Sequence, residues 1–129
     1  MPVLLDTTVL IDALRGRPAA VRVLRLRSAG DVPWVCAINV EEIHRGIRPG
    51  EEQTIGRLLQ ALRMAPLGRD EGERAGAWRR EYAARGVTLS QADCLIAAAA
   101  VSVNATLATG NPRDFPMGEI EVEHWPVGV

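Results

Sequence analysis

Lysine is absent: all 15 basic residues of this 129-residue chain are arginines. Chemistry that needs an ammonium group, such as a P-loop phosphate lysine or a Schiff-base lysine, is therefore excluded. Any anion site must be built from guanidinium forks, which suit phosphate. Charge excess is also lacking. The formal net charge is -1, so charge balance alone gives no reason to expect a nucleic-acid partner. Cysteine is rare, and neither Cys36 nor Cys94 has a CxxC partner. Both lie in apolar surroundings and are expected as buried free thiols in a reducing, cytoplasmic setting. Long apolar runs are missing: the longest window, "CLIAAAAVSV", is too short to span a bilayer. A basic N-terminal region leading into a long apolar segment is missing too, so no signal peptide is expected.

What is present is an alternation of short apolar runs and helical patterns, without internal repeats or linkers. "PVLL" (2–5) reads as a buried strand, and residues 8–15 and 18–28 as helices separated by "RGRP". Pro18 suits a first helical turn. "PWVCAI" (33–38) is the second strand and "NVEEIHRGI" (39–47) the helix after it. Ile55, Leu58, Leu59 and Leu62 have helical spacing across 52–64. A polar, arginine-rich helix is expected over 71–85, with Trp78 and Tyr82 one turn apart, and a buried alanine-rich helix over 90–103. "ATLAT" (105–109) and "IEVEHW" (120–125) close the pattern as strands. Strands apolar on both faces, alternating with helices and joined by no hairpin turn, predict an α/β fold with a central parallel sheet flanked by helices. One domain spanning 1–129 is expected.

Sites in such sheets lie beyond the carboxyl ends of the strands. Asp6 follows the first strand, Glu42 the second, and Thr109, Asn111 and Asp114 a later one, while Asp93 opens the alanine-rich helix. Each has a plain structural role available. Asp6 can cap the next helix. Asn39 with Glu42, and Ser90 with Asp93, have capping-box spacing. Caps, however, need not converge, and these acids gather at one edge of the sheet. Asp93 starts a helix expected to be buried on most sides, where an unpaired carboxylate is costly and a divalent cation is its natural partner. Carboxylates from separate elements, with no histidine or thiolate among them, suit Mg²⁺ or Mn²⁺ better than zinc. The matching reaction class is metal-assisted attack of water on a phosphodiester.

At these residues the sequence resembles PIN-domain ribonucleases of the VapC toxin type. The resemblance covers nearly the whole chain and is carried by "LLDTTVLID", "INVEEIHRGI", "LSQADCLIAAAA", "LATGNPRDF" and "EVEHW", in that order. It implies a three-layer PIN-like fold with Asp6, Glu42 and Asp93 as the core metal-binding acids. Glu42 takes this role rather than Glu41, because the pattern is an acid, an aliphatic, two variable residues and glycine, here Glu42 to Gly46. Thr7 matches a hydroxyl residue beside the first acid, and Thr109 supports the site. Two positions depart from the pattern. Thr8 stands where asparagine is usual, and the fourth site position, acidic in some members, is Asn111. Asp114 is a further catalytic candidate, or a turn residue pairing with Arg113 or a backbone amide.

The resemblance further implies an Mg²⁺- or Mn²⁺-dependent endoribonuclease toxin of a type II system. Such a toxin cleaves structured RNA (transfer or ribosomal) and halts translation and growth. It implies a homodimer, no membrane partner, and a cognate VapB-type antitoxin whose C-terminal segment lies across the acidic site. RNA would then require cations near the acids, and Arg45 or Arg48, just past Glu42, are the candidates. Arginines 15, 17, 22, 25 and 27 crowd the first two helices, where solvated faces or ion pairs are the ordinary outcome. Trp34, Trp78, Trp125, Tyr82 and Phe115 are the only aromatics and read as core or interface, which points to recognition of RNA by shape and backbone. His44 and His124 read as surface or packing residues. Two alternatives compete. "LLDTT" suits an aspartyl phosphatase or phosphorelay domain, but the phosphatase pattern wants an acid at Thr8 and both normally use a lysine. A PIN-like module that binds RNA or protein without catalysis is kept open by Asn111.

Overall fold

The computed structural model describes residues 2–128 and builds them around five short parallel strands. In chain order these elements are β1 (Val3–Leu5), α1 (Thr7–Leu14), α2 (Pro18–Ser28), β2 (Trp34–Val35), α3 (Ala37–Arg45) and α4 (Glu52–Gln60). Then follow β3 (Arg63–Met64), α5 (Arg69–Ala84), α6 (Gln91–Ser102), β4 (Thr106–Thr109), a 3₁₀ turn (Pro112–Asp114) and β5 (Val122–His124). The sheet order is β3-β2-β1-β4-β5 with every neighbouring pair parallel.

Side chains alternate across a strand, so a central strand feeds two cores at once. Leu4 of β1 and Leu107 of β4 enter the core under α5 and α6, with Trp78, Cys94 and the alanines 97–100. Val3 and Leu5 of β1 and Ala108 of β4 enter the opposite core, with Val9, Leu10, Val23, Ile43 and Ile55 from α1 to α4. The alanines of α6 leave little side-chain bulk between helix and sheet, and four in a row are almost inaccessible. This is the three-layer α/β arrangement that the alternating pattern predicts.

The chain winds outward from β1 through β2 to β3, then returns to place β4 and β5 on the other side of β1. The strand order therefore reverses between β1 and β4, and the crevice of such a sheet opens beyond the carboxyl ends of the two strands at that point. Asp6 and Thr109 stand there.

Several expected boundaries shift, each for a local reason. The expected helix over 52–64 ends at Gln60. Leu62 turns into the core, and Arg63 N–H donates to Pro33 O at 2.9 Å and Ala65 N–H to Val35 O at 2.7 Å, adding β3 as a strand that helical spacing hid. The second strand is shorter than 33–38 because α3 starts at Ala37. Asn39 is consequently not the cap of α3. It lies in the first turn, and its Oδ1 accepts from the Cys36 N–H at 2.8 Å. Both edge strands are more exposed than the expectation of strands apolar on both faces allowed: β3 carries exposed Arg63 and Met64, and β5 carries exposed Glu123 and His124. Charged, short edges resist unwanted pairing. The two cysteines are buried and free, as expected.

Candidate active site

The site begins with a strand that stops at an acid. Asp6 N–H still donates to Ala108 O at 2.9 Å, so the residue is fixed to the end of the β1–β4 ladder. Its backbone is extended and its carboxylate caps α1, Oδ1 accepting from Thr7 N–H at 2.8 Å. The other oxygen, Oδ2, accepts from Thr109 Oγ1 at 2.7 Å and from Thr8 Oγ1 at 3.3 Å. Three donors therefore hold a carboxylate that is 5% exposed. Burial still outweighs them and pushes the Asp6 carboxyl above its ordinary range, and the Glu42 charge adds to the rise.

Thr8 occupies the position where the resemblance leads one to expect asparagine. Its hydroxyl donates to Asp6 and accepts from Gly110 N–H at 3.1 Å, tying the start of α1 to the loop after β4. Gly110 suits this loop because a Cβ there would lie 2.7 Å from the Val127 methyls. Thr109 is fully buried, and its hydroxyl both donates to Asp6 and accepts from Asn111 N–H at 3.0 Å.

Glu42 comes from α3 and is oriented through a chain of side chains. Asn39, fully buried, holds the Cys36 amide with its oxygen and donates from Nδ2 to Thr7 Oγ1 at 3.1 Å. Thr7 Oγ1 donates onward to Glu42 Oε1 at 2.7 Å. Asn39 escaped the sequence reading as part of the site. Its spacing to Glu42 suggested a capping box opened by Asn39, but the box is opened by Cys36, with Asn39 as its third helical residue accepting from the Cys36 amide.

Asp93 sits in the first turn of α6, capped by Ser90, whose Oγ accepts from Asp93 N–H at 3.0 Å. Its carboxyl is raised: burial is the largest cause, a Ser90 side-chain hydrogen bond opposes it, and the charges of Asp114, Asp6 and Glu42 add to the rise. The acids therefore feel one another although they come from the starts of α1 and α6, the second half of α3 and the 3₁₀ turn after β4. A cleft of about 380 Å³ is lined by Asp6, Thr7, Thr8, Glu42, Asp93, Asn111 and Asp114, together with Ile11, Arg45 and Gly46. Of the residues singled out from the sequence as catalytic, metal-binding, supporting or phosphate-facing, Thr109, which stands behind Asp6, and Arg48 do not line it. Asn111 and Asp114 are exposed; Asn111 precedes the 3₁₀ turn and Asp114 is its last residue.

Other acids have ordinary work elsewhere. Asp12 is buried, 3.1 Å from Arg17 Nη1, and accepts from Gly128 N–H at 2.9 Å. A larger groove of about 1010 Å³ runs along α5, but its Glu71 is satisfied by Gly68 N–H and the Ser102 hydroxyl, and its Glu119 by Trp78 Nε1. Arg22, Arg63, Arg74 and Arg85 lie over Trp125, Trp34, Trp78 and Tyr82 respectively, so these arginines and rings occupy each other. His44 and His124 are exposed and outside the cleft.

Among the described residues, no group of three or more carboxylates, histidines and cysteines is already arranged as an ion-holding set. The donor chemistry nevertheless fits a hard divalent cation. Asp6 and Asp93 are both raised by burial and by neighbouring negative charge, and no basic side chain among the described residues forms an ion pair with either. Mg²⁺ is held by one or two carboxylates with water and substrate phosphate filling its other positions, so a complete protein cage is not required.

A family profile for the PIN domain matches residues 3–116. The chain is 33% identical over 115 residues to Ribonuclease VapC19 of Mycobacterium tuberculosis, covering 88% of this chain and 92% of that protein. It is 35% identical over 118 residues to Ribonuclease VapC10 of the same organism, covering 91% and 88%. The fold matches VapBC2 of Rickettsia felis, solved with a promoter DNA fragment, with a TM-score of 0.82 at 24% identity, covering 97% of this chain and 99% of that one. It also matches a toxin–antitoxin complex from Klebsiella pneumoniae, with a TM-score of 0.77 at 27% identity, covering 98% and 99%. The matched segment runs from β1, which delivers Asp6, to the turn that presents Asp114, and the chain belongs to the PIN-domain family, among its VapC-type toxins.

Proposed function

We propose that the protein is a divalent-metal-dependent endoribonuclease, the toxin of a VapBC-type pair, hydrolysing phosphodiester bonds of structured RNA. The observation that carries this reading is the cleft at the strand-order reversal, where Asp6, Glu42 and Asp93 converge with Asp114 and no cation among the described residues neutralises Asp6 or Asp93. The relatives named ribonucleases and the toxin–antitoxin structures support it.

Asp6, Glu42 and Asp93 would hold Mg²⁺ or Mn²⁺, which when bound polarises the phosphodiester and eases deprotonation of the attacking water. The water oxygen bonds to phosphorus, the P–O ester bond breaks, and the leaving oxygen takes up a proton. The chain's own contribution is positioning. Thr7, Thr8 and Thr109 fix the faces of Asp6 and Glu42, while Asn111 and Asp114 border the entry and supply polar contacts for water or substrate. Transfer or ribosomal RNA is the substrate class, cleavage halts translation, and a VapB-type antitoxin covers the cleft of a homodimer.

The test is incubation of the purified protein with total transfer and ribosomal RNA in Mg²⁺ or Mn²⁺, with and without chelator. Discrete cleavage that stops on chelation supports the reading. Intact RNA under all metal conditions would mean a PIN module without catalysis, the alternative that Asn111 keeps open.

A further inference from the structure

Taking the nuclease reading as its basis, we propose that Arg45 seats the backbone phosphate of RNA at this cleft: its guanidinium rests on Glu41 and Glu42 in the free protein and moves to phosphate when RNA and cation enter.

The cleft is lined by four carboxylates (Asp6, Glu42, Asp93 and Asp114) and a single basic residue, Arg45. A polyanion approaching that wall meets strong repulsion, which a bound divalent cation only partly offsets. One positive charge must be available at the rim, and Arg45 is placed there. Its Nη1 lies 3.2 Å from Glu41 Oε1 and its Nη2 3.8 Å from Glu42 Oε2, with the side chain 70% exposed. Exposed pairs of this kind are weak, and the longer contact is far from a good hydrogen bond. A phosphate offers the guanidinium a two-pronged, charge-assisted partner in its place.

The geometry at Glu42 couples the exchange to metal binding. Thr7 donates to Oε1, so Oε2, the oxygen that faces Arg45, is the one without a hydrogen-bonded hydroxyl. A cation held by Glu42 would repel the neighbouring guanidinium, leaving it free for an arriving phosphate. Gly46 beside it leaves that wall open. Its φ of -97° is ordinary for any residue, and a Cβ there would meet only Glu42 O at 3.7 Å, so no backbone requirement explains the glycine. Arg48, the other sequence candidate, does not line the cleft, although its N–H donates to Glu51 Oε1 at 2.9 Å. Arg17 is committed to Asp12, and Arg22, Arg63, Arg74 and Arg85 to aromatic rings.

The test uses two probes on the full chain: unfractionated transfer RNA, titrated across a salt series, and Mn²⁺ alone. For Arg45→Gln, transfer RNA binding is expected to weaken roughly 10-fold and its salt dependence to flatten by about one phosphate contact. Mn²⁺ binding should be equal or tighter, because a positive neighbour of Glu42 is gone, and KM should rise more than kcat falls. Arg45→Lys should recover part of the RNA affinity, and Arg48→Gln should behave as wild type. Wild-type affinity and salt slope in Arg45→Gln overturn the proposal. So does a joint loss of Mn²⁺ and RNA binding, which would make Arg45 a support for Glu42. Cleavage by the wild type is read in the same samples: its absence counts against the nuclease reading, while the binding ratio between Arg45→Gln and wild type still decides the role of Arg45.

Discussion

The Thr7 hydroxyl donates to Glu42 Oε1 at 2.7 Å, joining the first turn of α1 to α3 across 35 residues of sequence. Asn39 supplies the hydroxyl with its own donor, so the lone pairs and the proton of Thr7 are both directed. Thr7→Val keeps the shape and removes this relay. Cleavage is expected to fall roughly 10- to 100-fold, the range typical of groups that orient a metal ligand, with melting changed by only a few degrees. Comparing kcat/KM with a thermal melt checks this, and unaltered cleavage would show that Glu42 needs no such support.

Thr8 and Thr109 give a graded pair. Thr109→Val strips a buried partner from Asp6 Oδ2 and from the Asn111 amide, and is expected to cost about 1–3 kcal/mol in stability by denaturant unfolding. Thr8→Asn retains donor and acceptor capacity and should stay within roughly 1 kcal/mol of wild type. If both cost the same, the Thr8 bridge between Asp6 and Gly110 is not what holds that loop.

Asp93→Asn should separate folding from function. Burial and three negative neighbours oppose its charge, so replacing the carboxylate with an amide is expected to raise the melting temperature by roughly 2–6 °C without metal. Cleavage should be abolished. A lower melting temperature would show that the carboxylate has a stabilising partner instead.

The same shifts set the acid limb of the pH profile. Asp6 and Asp93 have raised carboxyl values, and the ionised forms are the ones that hold a cation. Metal binding and cleavage should therefore weaken at a higher pH, as pH falls, than ordinary carboxylates near 3.8 would allow. Mn²⁺ titrations from pH 7.5 downward should show this, in roughly half-unit steps.

Glu71 gives the opposite sign and serves as a structural control. The Ser102 hydroxyl and the Gly68 amide hold its carboxyl below the ordinary 4.5. Its stabilisation is present above that value and is lost as pH falls through the lower folded value. Glu71→Gln should unfold more easily at neutral pH, lose part of the acid dependence of stability, and leave the RNA cleavage rate per folded molecule unchanged.

Much of the scaffold could be read because long, periodic elements carry strong signals. The alanine-rich α6 and the apolar run of β1 fall where the pattern places them, and α4 starts where expected but stops four residues early. β3 was hidden because two exposed residues, Arg63 and Met64, carry no alternation, and their strand pairing comes from β2 across the sheet. The positions of Asp6, Glu42 and Asp93 in one cleft follow from topology, which the strand alternation implied. Their supports were less visible. Asn39 looked like a cap because spacing reports local bonds, whereas its contact with Thr7 spans 32 residues. Thr8 looked like a departure, yet its hydroxyl joins Asp6 to Gly110, a partner over 100 residues away in sequence.

The central claim is that the carboxylate cluster holds a divalent cation for RNA cleavage. It is tested most directly by titrating Mn²⁺ into the wild type, Asp6→Asn and Asp93→Asn, and assaying transfer RNA cleavage in the same samples. Both Mn²⁺ binding and cleavage should be present in the wild type and lost together in the two folded variants. Undiminished cleavage in either variant, or wild-type cleavage that continues in chelator, would contradict the account.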